Sequence, residues 1–164
     1  MIQTVQSFIE YFESIRRRTM NLLRALPPEQ MDWAPRVGEL TCGDIVRHLA
    51  ASEQMFVGVV TEGRWRYAGH DRNLAATYAT AIAHLEATHA DALNALRAVN
   101  DAQLYEPRPA LKGQPVKLWR WLMALVEHEV HHRSQLAAYL ALMGAQPPQV
   151  FGLTIEEIIA QATN

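Results

Sequence analysis

The chain has a single cysteine, Cys42, in 164 residues, so no disulfide can close within it and a reducing setting is expected. No window approaches the ~20 consecutive apolar residues that a membrane-spanning helix needs. The first residues, Met1-Ile2-Gln3-Thr4-Val5-Gln6, have neither the basic lead nor the apolar block of a secretory signal. These absences set the expectation of a cytoplasmic protein without a membrane partner. Excess charge is lacking too: 15 Lys+Arg against 17 Asp+Glu leave a net −2, which offers no global field to attract nucleic acid. The basic run Arg16-Arg17-Arg18 falls in a helical pattern and reads as a solvated face. Trp33, Trp65, Trp119 and Trp121 have no basic groove beside them, so they read as core or pocket wall rather than as a base-stacking platform.

Apolar content is ample. At 49% hydrophobic and 20% charged, residues 1–164 read as one folded domain large enough to bury a core. In the first run Val5, Phe8, Phe12, Ile15, Thr19, Leu22, Leu23 and Leu26 recur at steps of three and four, and Pro27-Pro28 ends the stripe. Thr41 followed by Asp44 resembles a capping box, opening a second helix that ends near Thr61. An alanine-rich third helix is expected from about Asp71 to Val99. Residues 100–115 carry three prolines and a glycine and read as a long connection. The fourth helix spans about 116–143 and stops at Gly144, and Thr154-Ile155-Glu156-Glu157 suggests a short last one. No segment alternates convincingly enough for a strand. An all-α antiparallel four-helix bundle with a short C-terminal helix follows.

Polarity is misplaced on two inward faces of that bundle. In the fourth helix His128 and His132 are four residues apart, about 40° around the helix, so both imidazoles can address one ion. His132 falls within the apolar stripe and His128 at its edge, while His131 points about 100° away from His132. Glu129 also lies in the stripe, an awkward place for a carboxylate without a compensating cation. In the second helix His48 and Ser52 share the face of Ile45, Leu49 and Phe56. A divalent metal held by His48, His128 and His132, with a position left open, accounts for the set. The plainer alternative is a polar cluster hydrogen-bonded within itself.

Other candidates are weaker. His84 and His89 are five apart and cannot share a ligand face, and His70 reads as a loop residue. Cys42, near a helix start, is either a reactive thiol or small core filler. His128-Glu129-x-x-His132 also satisfies the zinc-peptidase pattern, with Glu129 as base and Glu156 or Glu157 as third ligand. Against that reading, the chain offers no sheet edge on which an extended peptide could lie.

His48-Leu49 with Glu53, then His128-Glu129-x-His131-His132-Arg133-x-Gln135-Leu136, resembles the DinB/YfiT-like superfamily. Trp33-x-Pro35, Tyr139-Leu140 before Gly144, and Pro147-Pro148 before Phe151-Gly152 extend the likeness over essentially the whole chain. Ser134 stands where many relatives have glycine. The resemblance implies up-down-down-up connectivity, in which residues 100–115 must carry the chain between bundle ends, a homodimer, and a three-histidine metal site at His48, His128 and His132. It also implies a small-molecule substrate and a low-molecular-weight thiol cosubstrate, since characterised relatives include thiol-dependent S-transferases and an isomerase. Coordination to a cation deprotonates a thiol and leaves a nucleophile. In that scheme Glu129 is the catalytic candidate, stabilising charge or relaying a proton; a metal-dependent hydrolase and a non-catalytic bundle with a structural metal are the alternatives. Imidazole-rich sites accept zinc or nickel foremost, with iron and copper compatible.

Overall fold

The computed structural model describes residues 2–162. Four long helices form it: α1 (Val5–Arg24), α2 (Cys42–Glu62), α3 (Tyr78–Arg97) and α4 (Leu118–Leu142), followed by the short α5 (Ile155–Ala162). Local chemistry sets each start. Thr41 accepts the amide of Asp44 at 3.0 Å and the Asp44 carboxylate returns the bond to the Thr41 amide, the expected capping box. Thr4 with Ser7 and Thr77 with Thr80 do the same for α1 and α3. Gly63 ends α2 and Gly144 follows α4, both at positive φ (+68° and +81°), where a Cβ would be strained. No helix among the described residues is long and apolar enough to cross a membrane.

Four long-range bonds fix the connectivity. The Val5 amide donates to Asp101 at 2.7 Å, so α1 begins beside the segment that leads into α4. Arg108, just ahead of α4, donates to the Val60 carbonyl at the far end of α2. Arg47, early in α2, donates to the carbonyls of His70 and Ala75, immediately before α3. Helices α2 and α3 therefore run parallel, with α1 and α4 running against them, which is the up-down-down-up arrangement. Each of α1 and α2 packs between α3 and α4.

Two sequence expectations need correction. The segment that returns along the bundle is residues 64–77, not 100–115. Residues 98–117 stay at one end, where a 3-10 turn (Asp101–Tyr105) buries Leu104 and a two-residue hairpin pairs β1 (Pro107–Arg108) with β2 (Val116–Lys117). Helix α3 also starts seven residues later than Asp71. Arg47 captures the His70 and Ala75 carbonyls, so those acceptors are not free for an i→i+4 ladder and only a 3-10 turn (Arg72–Leu74) forms.

The core has two apolar halves. One gathers Phe8, Phe12, Val60, Leu96, Leu118 and Leu122, and the other Leu23, Ile45, Leu49, Leu85, Leu136 and Leu140. Between them lies a polar layer, with Arg16, Ser52, Glu53, Thr88, Glu129, His132 and Arg133 all buried. The functional candidates sit in this layer.

Candidate metal centre

Neighbouring antiparallel helices α2 and α4 bring His48, His128 and His132 together. One nitrogen from each of the three rings lies within 4.8 Å of the other two, and Nε2 of His48 is 3.0 Å from Nε2 of His128. Bonds of ~2.0–2.1 Å to a tetrahedral zinc-like ion put its donor nitrogens about 3.4 Å apart. The observed spacing therefore fits a cation held between the rings after small rotamer adjustments.

The outward-facing nitrogens are tied down. Nδ1 of His132 meets the Gln135 carbonyl oxygen at 2.9 Å, and the Gln135 amide donates to the Tyr139 hydroxyl at 3.0 Å. Nδ1 of His48 meets the Tyr67 hydroxyl at 2.5 Å, and that hydroxyl meets Nδ1 of His70 at 2.9 Å. A proton on each Nδ1 leaves the Nε2 lone pair free for a cation, the arrangement that orients metal-bound histidines generally. Tyr67→Phe removes this support without touching a ligand. It is expected to weaken metal binding roughly 10-fold or more, read by competition against a chromogenic chelator.

Burial keeps the imidazoles neutral. Burial and the nearby His132 and His70 rings push His48 down to about 4. Burial and the rings of His132, His48 and His131 push His128 down to about 3. Burial also lowers His132, against the raising effect of Gln135. The unfolded chain takes up these protons near pH 6.5, whereas the folded rings refuse them until far lower pH. Acid therefore favours the unfolded state. The melting temperature of metal-free protein is expected to fall as pH drops from about 6.5 to about 4, less steeply in His128→Gln.

An aromatic wall flanks the cluster: Phe56 packs edge-on against His128 at 5.8 Å, and Trp65 and Trp121 stand behind it. His131 is exposed and outside the three-ring group, as its angle on the wheel requires.

Glu129 does not join the imidazoles. Its carboxylate is 1% exposed and turned toward α1, with Oε2 lying 2.7 Å from Nη2 of Arg16. The expected base is thus held in an internal ion pair, and burial pushes its carboxyl above the usual range against the pull of Arg16. Arg16 is correspondingly not part of a solvated face: it is 4% exposed and also donates to Oε2 of Glu53 at 2.7 Å. His89 completes the group, its Nδ1 2.7 Å from Oε1 of Glu53. Cys42 is fully buried with its thiol pushed up to about 11 by that burial, which makes it core filler. Glu157 caps α5, and neither it nor Glu156 joins the three histidines.

Sequence reasoning missed Tyr67 and Gln135. Gln135 was legible, three residues after His132 on the same helix face. Tyr67 was not, because only the return path of residues 64–77 brings it to His48.

Fold and site together define a four-helix bundle with a three-imidazole pocket suited to a divalent cation. The DinB family model matches residues 1–161, and the chain belongs to that family. A DinB-like protein from Bacillus cereus superposes with a TM-score of 0.77 at 21% identity, covering 91% of this chain and 99% of that one. A DinB-like protein from Bacillus subtilis gives 0.71 at 20%, covering 88% and 96%. YfiT from Bacillus subtilis, described as a probable metal-dependent hydrolase with an unusual four-helix bundle topology, gives 0.67 at 22%, covering 87% and 89%. No curated protein sequence matches the chain.

Proposed function

We propose that the protein is a metal-dependent hydrolase acting on a small molecule, with His48, His128 and His132 as ligands. The observation that carries this reading is the convergence of three neutral imidazole nitrogens within 4.8 Å. When bound, a divalent cation supplies Lewis acidity and lowers the pKa of a water or thiol that joins it. Three protein donors converge among the described residues, a number that leaves a position for that partner. Tyr67 and Gln135 hold two of the rings in the competent tautomer. The Phe56, Trp65 and Trp121 wall offers apolar surface to a substrate beside the ion. The likeness in fold to YfiT supports hydrolysis over thiol transfer. Glu129 takes no part, since Arg16 holds its carboxylate elsewhere.

The test is elemental analysis of protein purified without chelator, followed by reconstitution with zinc, nickel, iron or copper and an ester and amide hydrolysis screen with and without added thiols. About one ion per chain and thiol-independent turnover are expected. A strict thiol requirement would replace the hydrolase with an S-transferase, and failure to bind any of the ions would end both readings.

The proposal includes a homodimer. Its support is the apolar surface left open on the last segments, where Leu142, Phe151, Ile155 and Ile159 are all more than half exposed. Light scattering that gives a monomer mass at micromolar concentration would remove it.

A further inference from the structure

A second polar site lies outside the imidazole cluster, where α1, α4 and the segment after α4 meet. They border a partly open cavity of about 70 Å³, room for several water-sized atoms. Its polar lining comes from Arg18, Asn21, Arg133, Ser134 and Gln149, and no carboxylate lines it among the described residues. That polar part is one-signed and rich in donors, and Leu22, Ala137, Pro148 and Val150 supply a larger apolar part.

Arg133 is the informative member. It is only 7% exposed, yet its one hydrogen bond among the described residues is a long contact from Nη1 to the Ile15 carbonyl at 3.5 Å. The nearest buried carboxylate on its own helix, Glu129, is engaged with Arg16. A guanidinium carries five N–H donors, and none of those on Arg133 is sealed away from solvent without a partner, so they stay accessible to a ligand. Arg133 also lines the cavity.

The neighbours are disposed to complete the same site. Arg18 is steadied by Phe151, its guanidinium carbon 5.4 Å from the ring centroid. The Asn21 carbonyl oxygen accepts from Arg24 at 2.8 Å, which leaves the Asn21 amide hydrogens free to donate. The Ser134 hydroxyl donates to the Val130 carbonyl and adds no second positive group.

We propose that this cavity binds a phosphate group, held between the guanidiniums of Arg133 and Arg18 and the amide of Asn21. Two guanidiniums match the double charge and several oxygens of a phosphate, each able to present paired N–H donors. The donors come from both helices, so an occupant would also tie α1 to α4. The site requires no metal and stands or falls apart from the hydrolase reading.

The experiment is calorimetric titration of the full chain with inorganic phosphate and with glycerol phosphate, against chloride at matched ionic strength. Saturable binding of phosphate is expected, weakened roughly 10-fold or more in Arg18→Gln and further in Arg133→Gln. Metal content should be unchanged in Arg18→Gln, because Arg18 lies on α1, away from the imidazoles. Equal binding of both ligands identifies the phosphate end of a larger molecule as the occupant, and binding of inorganic phosphate alone identifies the free ion. No saturable heat above chloride overturns the proposal. So does binding that Arg18→Gln leaves intact, as phosphate on an ion at the imidazole cluster would be.

Discussion

Arg16→Met is expected to lose on the order of 3–5 kcal/mol of stability, the cost of stranding buried charge by removing one partner. For a chain of this size that is a fall in melting temperature of about 10 °C. The reason lies in how the polar layer is assembled. Each long helix contributes one member: Arg16 from α1, Glu53 from α2, His89 from α3 and Glu129 from α4. Nη2 of Arg16 sits 2.7 Å from one oxygen of each carboxylate, so a single cation faces both. Glu53 keeps His89 when Arg16 is removed, but Glu129 keeps only more distant attraction, such as that of Arg133.

The arrangement is not ideal even when intact. Nε and Nη1 of Arg16 and both oxygens of Glu129 are buried without a well-aligned hydrogen bond to protein. The 2.7 Å approach to Glu129 is therefore an ion pair with poor hydrogen-bond alignment. A buried ion group of that quality is weak evidence of net stabilisation, because the desolvation cost offsets much of the Coulomb gain. The triple variant Arg16→Met, Glu53→Leu, Glu129→Leu is accordingly expected to recover most of what the single change loses. Chemical denaturation of the three proteins decides the matter. A triple variant as unstable as Arg16→Met would show that lost packing, not stranded charge, causes the damage.

The helix stripes, their caps and the imidazole trio were legible in the sequence because each follows from local periodicity. Three- and four-residue spacing puts Ile15, Thr19 and Leu22 on one face, and His128 with His132 on another. Arg16 was misread although the signal was present. It lies four residues after Phe12 and three before Thr19, inside the stripe, and its placement in a triple-arginine run disguised it. Glu129 was rightly seen to need a cation, but a single helix cannot say which helix supplies it. The path of residues 64–77 and the role of Tyr67 were not legible. They depend on Arg47 seizing carbonyls more than twenty residues away, a tertiary contact that no local pattern encodes.

His48→Ala and His132→Ala are each expected to weaken metal binding beyond the ~100-fold that loss of an outer orienting partner costs, while His131→Ala leaves it nearly intact. Catalytic zinc sites use three protein donors with a position open, and removing one leaves two rings with water in the rest of the coordination sphere. His48 is the only ligand from α2, so its loss also removes the tie between two helices. His131 precedes His132 by one residue on α4, outside the convergent group and exposed. Its ring touches that of His132 at 4.8 Å between centroids, which sets a limit on how neutral its replacement can be. The peptidase pattern makes the opposite demand of His48, whose removal it would tolerate while Glu156 or Glu157 supplied the third donor. Competitive chelator titration of the three variants at neutral pH separates these outcomes. Equal losses from His131→Ala and His132→Ala would contradict the ligand assignment.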